Sequence, residues 1–100
     1  MEFPKTLDGA EVLMYTNEGH YENLVAEDGS FVIPIRYLAI CQYQNHKADG
    51  YYLFECNQDI EVETDGLFDT IEDAKEYVFR KIADVKWYSG QENPAEERPI

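Results

Sequence analysis

Over residues 11–64 the apolar positions fall in short runs with a period near two, and over residues 71–85 they switch to spacings of three and four. Because side chains alternate between the faces of a strand, the first pattern predicts strands at Glu11–Thr16, Tyr21–Ala26, Phe31–Ile33, Ile35–Tyr43, Tyr51–Cys56 and Ile60–Thr64. Along the fourth of these, Ile35, Tyr37, Ala39, Cys41 and Tyr43 share one face while Leu38 and Ile40 take the other. A strand that is apolar on both sides belongs in the middle of its sheet. Ile60 and Val62 alternate with Glu61 and Glu63, so the last strand turns its apolar residues inward and both glutamates to water. Turn chemistry separates the runs at Asn17-Glu18-Gly19, at Asp28-Gly29 and at Asp49-Gly50. The Asp28-Gly29 pair suits a type I′ hairpin turn, which needs positive φ at both central residues. Pro34 has no N–H for a ladder and marks a break, a bulge or an edge.

The second pattern predicts one helix. Ile71, Ala74, Val78, Ile82 and Val85 form a single stripe, with Lys75, Glu76, Arg80 and Asp84 outside it. Thr70 can cap the free N–H groups of the first turn, and Glu72 and Asp73 suit the positive end of the helix dipole. Lys81 and Lys86 fall toward the negative end, and Gly90 ends the element. Strands followed by a helix imply an α+β domain: an antiparallel β-meander of about five to six strands with one C-terminal amphipathic helix packed on one face. The other sheet face would then be solvated or open to a partner. Residues 1–90 read as a single domain, and residues 91–100, with Pro94, Pro99 and three glutamates, read as a disordered acidic tail.

Charge narrows the function classes. Twenty-one acidic against eight basic side chains give a formal net charge of -13, a field that repels phosphates and anionic lipid headgroups alike. Nucleic acid and membrane are therefore not the expected partners, whereas a basic protein would be steered toward the surface. The first ten residues lack a basic start and an apolar core of signal-peptide type, so the chain reads as cytoplasmic. In that reducing compartment Cys41 and Cys56, the only cysteines, are expected to be buried thiols and not a disulfide.

No pattern calls for catalysis, a metal or a cofactor. The nearest is Glu61-x-Glu63-x-Asp65-Gly66-x-x-Asp69-x-x-Glu72, which has the oxygen spacing of an EF-hand loop but opens on Glu and follows a strand in place of a helix. A solvated strand leading through a Gly66 turn into a capped helix explains the same residues, and a calcium-responsive domain is the less favoured alternative. His20 and His46 fall in loops, without the paired spacing of a zinc site. Ser30 and Ser89 lie beside Gly29 and Gly90 and read as turn residues, with no nucleophile elbow around either.

Eight tyrosines and Trp87 are the remaining surplus. Aromatic rings with a polar tip are enriched at interfaces, so Tyr51, Tyr52 and Trp87 are candidate binding residues beside the acidic pair Glu61 and Glu63. The run Tyr51-Tyr52-Leu53-Phe54-Glu55-Cys56, followed by Thr64-Asp65 and by Phe68-Asp69-Thr70-Ile71-Glu72-Asp73-Ala74-Lys75, resembles a pattern in small uncharacterised bacterial proteins. Some of those are similar to immunity proteins of toxin systems. The resemblance covers about residues 35 to 87 and implies a protein that binds a cognate toxin and blocks it. The expectation is a small acidic protein-binding module, of immunity or inhibitor type, with a basic partner. The alternative is a non-catalytic structural or regulatory subunit of a larger assembly.

Overall fold

Both faces of β5, Tyr37–Gln42, are buried, and the fold is the arrangement that covers them. The computed structural model describes residues 3–82 and 85–90. β1 (Thr6–Leu7), β2 (Ala10–Thr16), β5, β6 (Tyr51–Cys56) and β7 (Val62–Phe68) lie side by side in that order, each antiparallel to the next. β8 (Trp87–Ser89) pairs with the second half of β2, on the edge whose first half β1 uses. β3 (Glu22–Val25) and β4 (Val32–Ile35) form a separate hairpin inserted between β2 and β5. One helix, α1 (Ile71–Lys81), packs on the sheet, and the class is α+β: a curled antiparallel sheet, close to half a barrel, closed by a C-terminal helix.

Alternation along β5 divides the interior in two. Leu38 and Ile40 face α1 and join Ile35, Leu53, Ala74 and Val78 in one buried cluster. Tyr37, Ala39 and Cys41 point the other way and join Leu7, Ala10, Val12, Phe54 and Cys56 in a second. The helix is held where the first cluster needs it. Thr70 caps it, its Oγ1 accepting from the Asp73 N–H at 3.0 Å, and the stripe of Ile71, Ala74, Val78 and Ile82 turns to the sheet. Among the described residues no helix packs on the second cluster. It is covered by the curl of the sheet and by a row of aromatic rings, Phe3 stacking on Tyr15 at 4.6 Å and Tyr43 meeting Tyr52 edge-on at 5.3 Å. The sheet face expected to be solvated or open is therefore a core.

Several local expectations are corrected. α1 ends at Lys81, with Ile82 as its C-cap. Val85 packs on the helix-side cluster from beyond the helix end, and Lys86 likewise lies outside the helix. The stretch toward Gly90 that continues the apolar period is β8, which includes Ser89. Asp84 and the proposed tail, residues 91–100, lie outside the described residues. The type I′ turn is at Asp8-Gly9, with φ of 49° and 84°, joining β1 to β2. At Asp28-Gly29 only Gly29 has positive φ, and the Asp28 carboxylate instead accepts the Ser30 N–H at 2.9 Å. Strand Phe31–Ile33 shifts to Val32–Ile35 and includes Pro34, tolerated because its two-stranded hairpin has open edges. Ile35 consequently ends β4 and faces the helix-side cluster, away from Tyr37, Ala39 and Cys41.

Candidate functional site

The most chemically distinctive surface is a groove where β7 runs beside α1. β7 ends one side of the sheet, and the chain then turns through Asp69 and Thr70 straight into the helix, so strand and helix lie close together. Leu67, Phe68 and Tyr77 are shared by two contiguous hollows of about 350 and 230 Å³. The larger is rimmed by Asp69, Asp73, Glu76 and Arg80, and Arg80 is already committed to Glu76 at 3.0 Å. The smaller runs inward past Thr64, Asp65 and Gly66 to Glu55. Gly66 stands opposite Leu53, and a Cβ there would meet the Phe68 ring at 3.5 Å. Leu67 and Tyr77 are exposed over 54% and 43% of their surface and lie beside several carboxylates. A groove with an apolar floor and an acidic rim can take a ligand that is both cationic and apolar.

Glu55 is the buried polar group at its inner end. It stands in β6 between Leu38 and Thr64, and the Thr64 hydroxyl donates to its Oε1 at 2.6 Å. Burial holds its carboxyl above the ordinary carboxylate range; the Thr64 hydrogen bond opposes this, and the neighbouring Glu22 carboxyl adds to it. Glu22 in turn accepts from Lys81 Nζ at 3.2 Å, and Lys81 also donates to the Tyr77 hydroxyl. The group ties the β3–β4 hairpin to the last turn of the helix.

An acid whose folded-state pKa is raised binds more protons folded than unfolded. Its stabilising contribution is full below the unfolded pKa and is lost as pH rises through the folded value. Glu55→Gln keeps the acceptor for Thr64, stays neutral, and can donate to Glu22. The variant is expected to melt higher than wild type at neutral pH. The two should converge as pH falls into the carboxylate range, a comparison made by thermal denaturation across that range.

The candidate residues from the sequence do not form one site. Tyr51 and Tyr52 take opposite faces of β6: Tyr51 packs with the helix-side cluster, and Tyr52 with Tyr43 and Phe54 in the aromatic row. Trp87 is on β8, four strand spacings across the sheet from β7. Glu61 and Glu63 are brought together, but by a loop. β7 begins at Val62, and Ile60 lies in the preceding turn with a left-handed φ of 60°, strained for a β-branched residue. The Asn57 amide donates to Glu61 at 3.0 Å and to Glu63 at 2.7 Å. Glu63 sits where the ladder register shifts and is half-buried, so it does not simply face water as strict alternation implied.

The residues resembling a calcium loop lie mostly in β7, where Gly66 pairs with Leu53 and Asp65 with Phe54, so the backbone is extended and does not wrap. Among the described residues no group of three or more His, Cys, Asp or Glu side chains is placed to hold a metal ion. His20 and His46 are exposed, His46 Nδ1 lying 3.8 Å from Asp49. Cys41 and Cys56 are free and buried, opposite Tyr52 and Tyr37 and not opposite each other. Burial pushes both thiols up, Cys56 to about 12, which keeps them protonated and unreactive.

Leu67, Tyr77, Asp73, Glu76 and Glu55 were not marked as site residues by sequence reasoning. For Glu55 a signal existed: a carboxylate set within Leu53-Phe54-x-Cys56, the most apolar run of its strand. For the others none did, because the groove is made by two elements meeting. Comparison with protein-family models, curated proteins and solved structures finds no match to this chain. No helix among the described residues is long and apolar enough to cross a membrane.

Proposed function

We propose that the domain is a non-catalytic protein-binding module, of inhibitor or immunity type, that engages a basic partner in the cytoplasm through the groove between β7 and α1. The observation that carries this reading is the coincidence of exposed Leu67 and Tyr77 with a rim of Asp65, Asp69, Asp73 and Glu76, where Arg80 is paired with Glu76 and Lys81, beside Tyr77, with Glu22. Apolar anchors supply binding energy, and the surrounding charge selects the partner and speeds encounter. The net charge of -13 acts in the same direction at longer range.

The test is capture from the source cell on immobilised domain, identification of what is retained, and association kinetics with the purified partner. Glu61 and Glu63 are poor positions for charge reversal, since both are bound to Asn57. Asp65 and Asp69 are exposed. Asp65→Lys with Asp69→Lys is expected to slow association by about tenfold or more at low salt and to flatten its salt dependence, because steering is screened over about 8 Å at physiological ionic strength. A retained protein that is acidic, or an unchanged rate in the double variant, removes the reading.

A second reading, a subunit of a larger assembly, draws on a different surface. Val25, Phe31 and Val32 near the end of the β3–β4 hairpin are each more than half exposed. Two-stranded hairpins are marginal in isolation, and covering these side chains would steady this one. Sedimentation of the purified chain at rising concentration, with Phe31→Ser as control, distinguishes the two: a monomer throughout favours the binding module.

A further inference from the structure

We propose that the open edge of β7 receives a strand from the partner, so that the bound segment is an extended, basic stretch of peptide hydrogen-bonded to the backbone of Asp65 and Leu67. The inference rests on the acidic-groove reading above and adds the mode of attachment. β7 is the last strand in the sheet order, and no strand among the described residues pairs with its outer side. Which of its groups face outward follows from Gly50. A Cβ built there would lie 2.5 Å from the Phe68 carbonyl oxygen, so that carbonyl turns back toward β6. In an antiparallel ladder the N–H and C=O of one residue point the same way, and successive residues alternate. Phe68, Gly66 and Thr64 therefore face β6, and Leu67 and Asp65 present their N–H and C=O groups to the open side. Both residues also line the groove beside α1.

The chemistry of the edge specifies what can be added. A strand laid against β7 places side chains opposite Asp65 and Leu67, where a cation and an apolar group are matched neighbours. Glu61 and Asp69, exposed at the two ends of β7, extend the same preference. A second copy of this acidic chain would set carboxylates against carboxylates, so the edge rejects self-pairing while accepting a strand rich in Lys or Arg.

The experiment uses the full chain, 15N-labelled, and a synthetic peptide of about nine residues alternating Lys and Val, long enough to span one strand. A second peptide has the same sequence N-methylated at every residue, keeping charge and side chains but no backbone donor. With the first peptide, hydrogen exchange at the Asp65 and Leu67 amides is expected to slow by about tenfold or more, while Thr64 and Gly66 are protected already. The N-methylated peptide is expected to bind at least about tenfold more weakly, since it cannot complete the ladder. If both peptides bind equally and the two amides exchange as before, strand addition is overturned and electrostatic docking survives. If neither binds, both readings fall. Slow exchange at Asp65 and Leu67 in the free protein would show the edge already covered, by residues 91–100 or by a second copy, and would also overturn the inference.

Discussion

Val78→Asp is expected to unfold the domain, while Arg80→Asp, two residues away on the same helix, leaves it folded. Val78 is 3% exposed and packs with Ile35, Leu38, Ile40, Leu53 and Ala74. Replacing it removes about 2 kcal/mol of apolar burial and puts a carboxyl where no described partner can accept or donate. Holding that group neutral or leaving it charged costs several kcal/mol more, against a total stability of about 5–15 kcal/mol for a domain of this kind. Arg80 is exposed, and its bond to Glu76 is of the solvent-screened kind. Its loss, with a like charge now four residues from Glu76, costs under about 1 kcal/mol. Thermal melts followed by circular dichroism make the comparison. Similar melting temperatures would mean that the stripe does not face the sheet.

The helix was legible in the sequence up to the point where its period outlived it. Ile71, Ala74, Val78 and Ile82 are placed by spacing alone, and they pack as that spacing requires. Val85 continues the period because it fills the same cluster, although the chain there is no longer helical. Periodicity reports which side is buried and not what the backbone does once a helix has ended. β8, which pairs with the second half of β2, was missed for that reason.

Strands were legible where alternation and turn chemistry agreed, as for β5 and β6. The strand placed at Ile60–Thr64 slipped to Val62–Phe68 where a bulge beside Glu63 changes the parity, because one extra residue moves every later side chain to the other face. The Asp8-Gly9 turn carries the same hairpin dipeptide as Asp28-Gly29, yet only Thr6 and Leu7 precede it as strand, too few to show an alternation. Curling of the sheet left no local trace at all. The second core is built from Tyr37, Ala39, Cys41, Phe54 and Cys56, all visible as apolar, but their enclosure without a helix is a property of the whole sheet. The groove was hidden in the same way, since Phe68 and Tyr77, whose rings lie 5.3 Å apart, meet only when β7 and α1 are placed side by side.

Gly50→Ala is expected to cost at least about 3 kcal/mol and to weaken partner binding in the same measurement, whereas Gly29→Ala costs about 1–2 kcal/mol and leaves binding alone. Both glycines have positive φ, 108° and 74°. At Gly29 a Cβ meets nothing within 4 Å, so the penalty is the left-handed backbone alone. At Gly50 the backbone lies in a region open essentially to glycine only, with ψ of −151°, and a Cβ would stand 2.5 Å from the Phe68 carbonyl oxygen. That atom is backbone and cannot swing aside, so β7 must move as a unit. Phe68 and Leu67 form the wall of the groove, and their displacement would misplace the apolar anchors and the open edge together. Urea denaturation gives the stability of each variant, and affinity for the captured partner gives the second readout, taken where both remain folded. If Gly50→Ala binds as wild type does while losing the expected stability, the groove beside β7 is not where the partner sits.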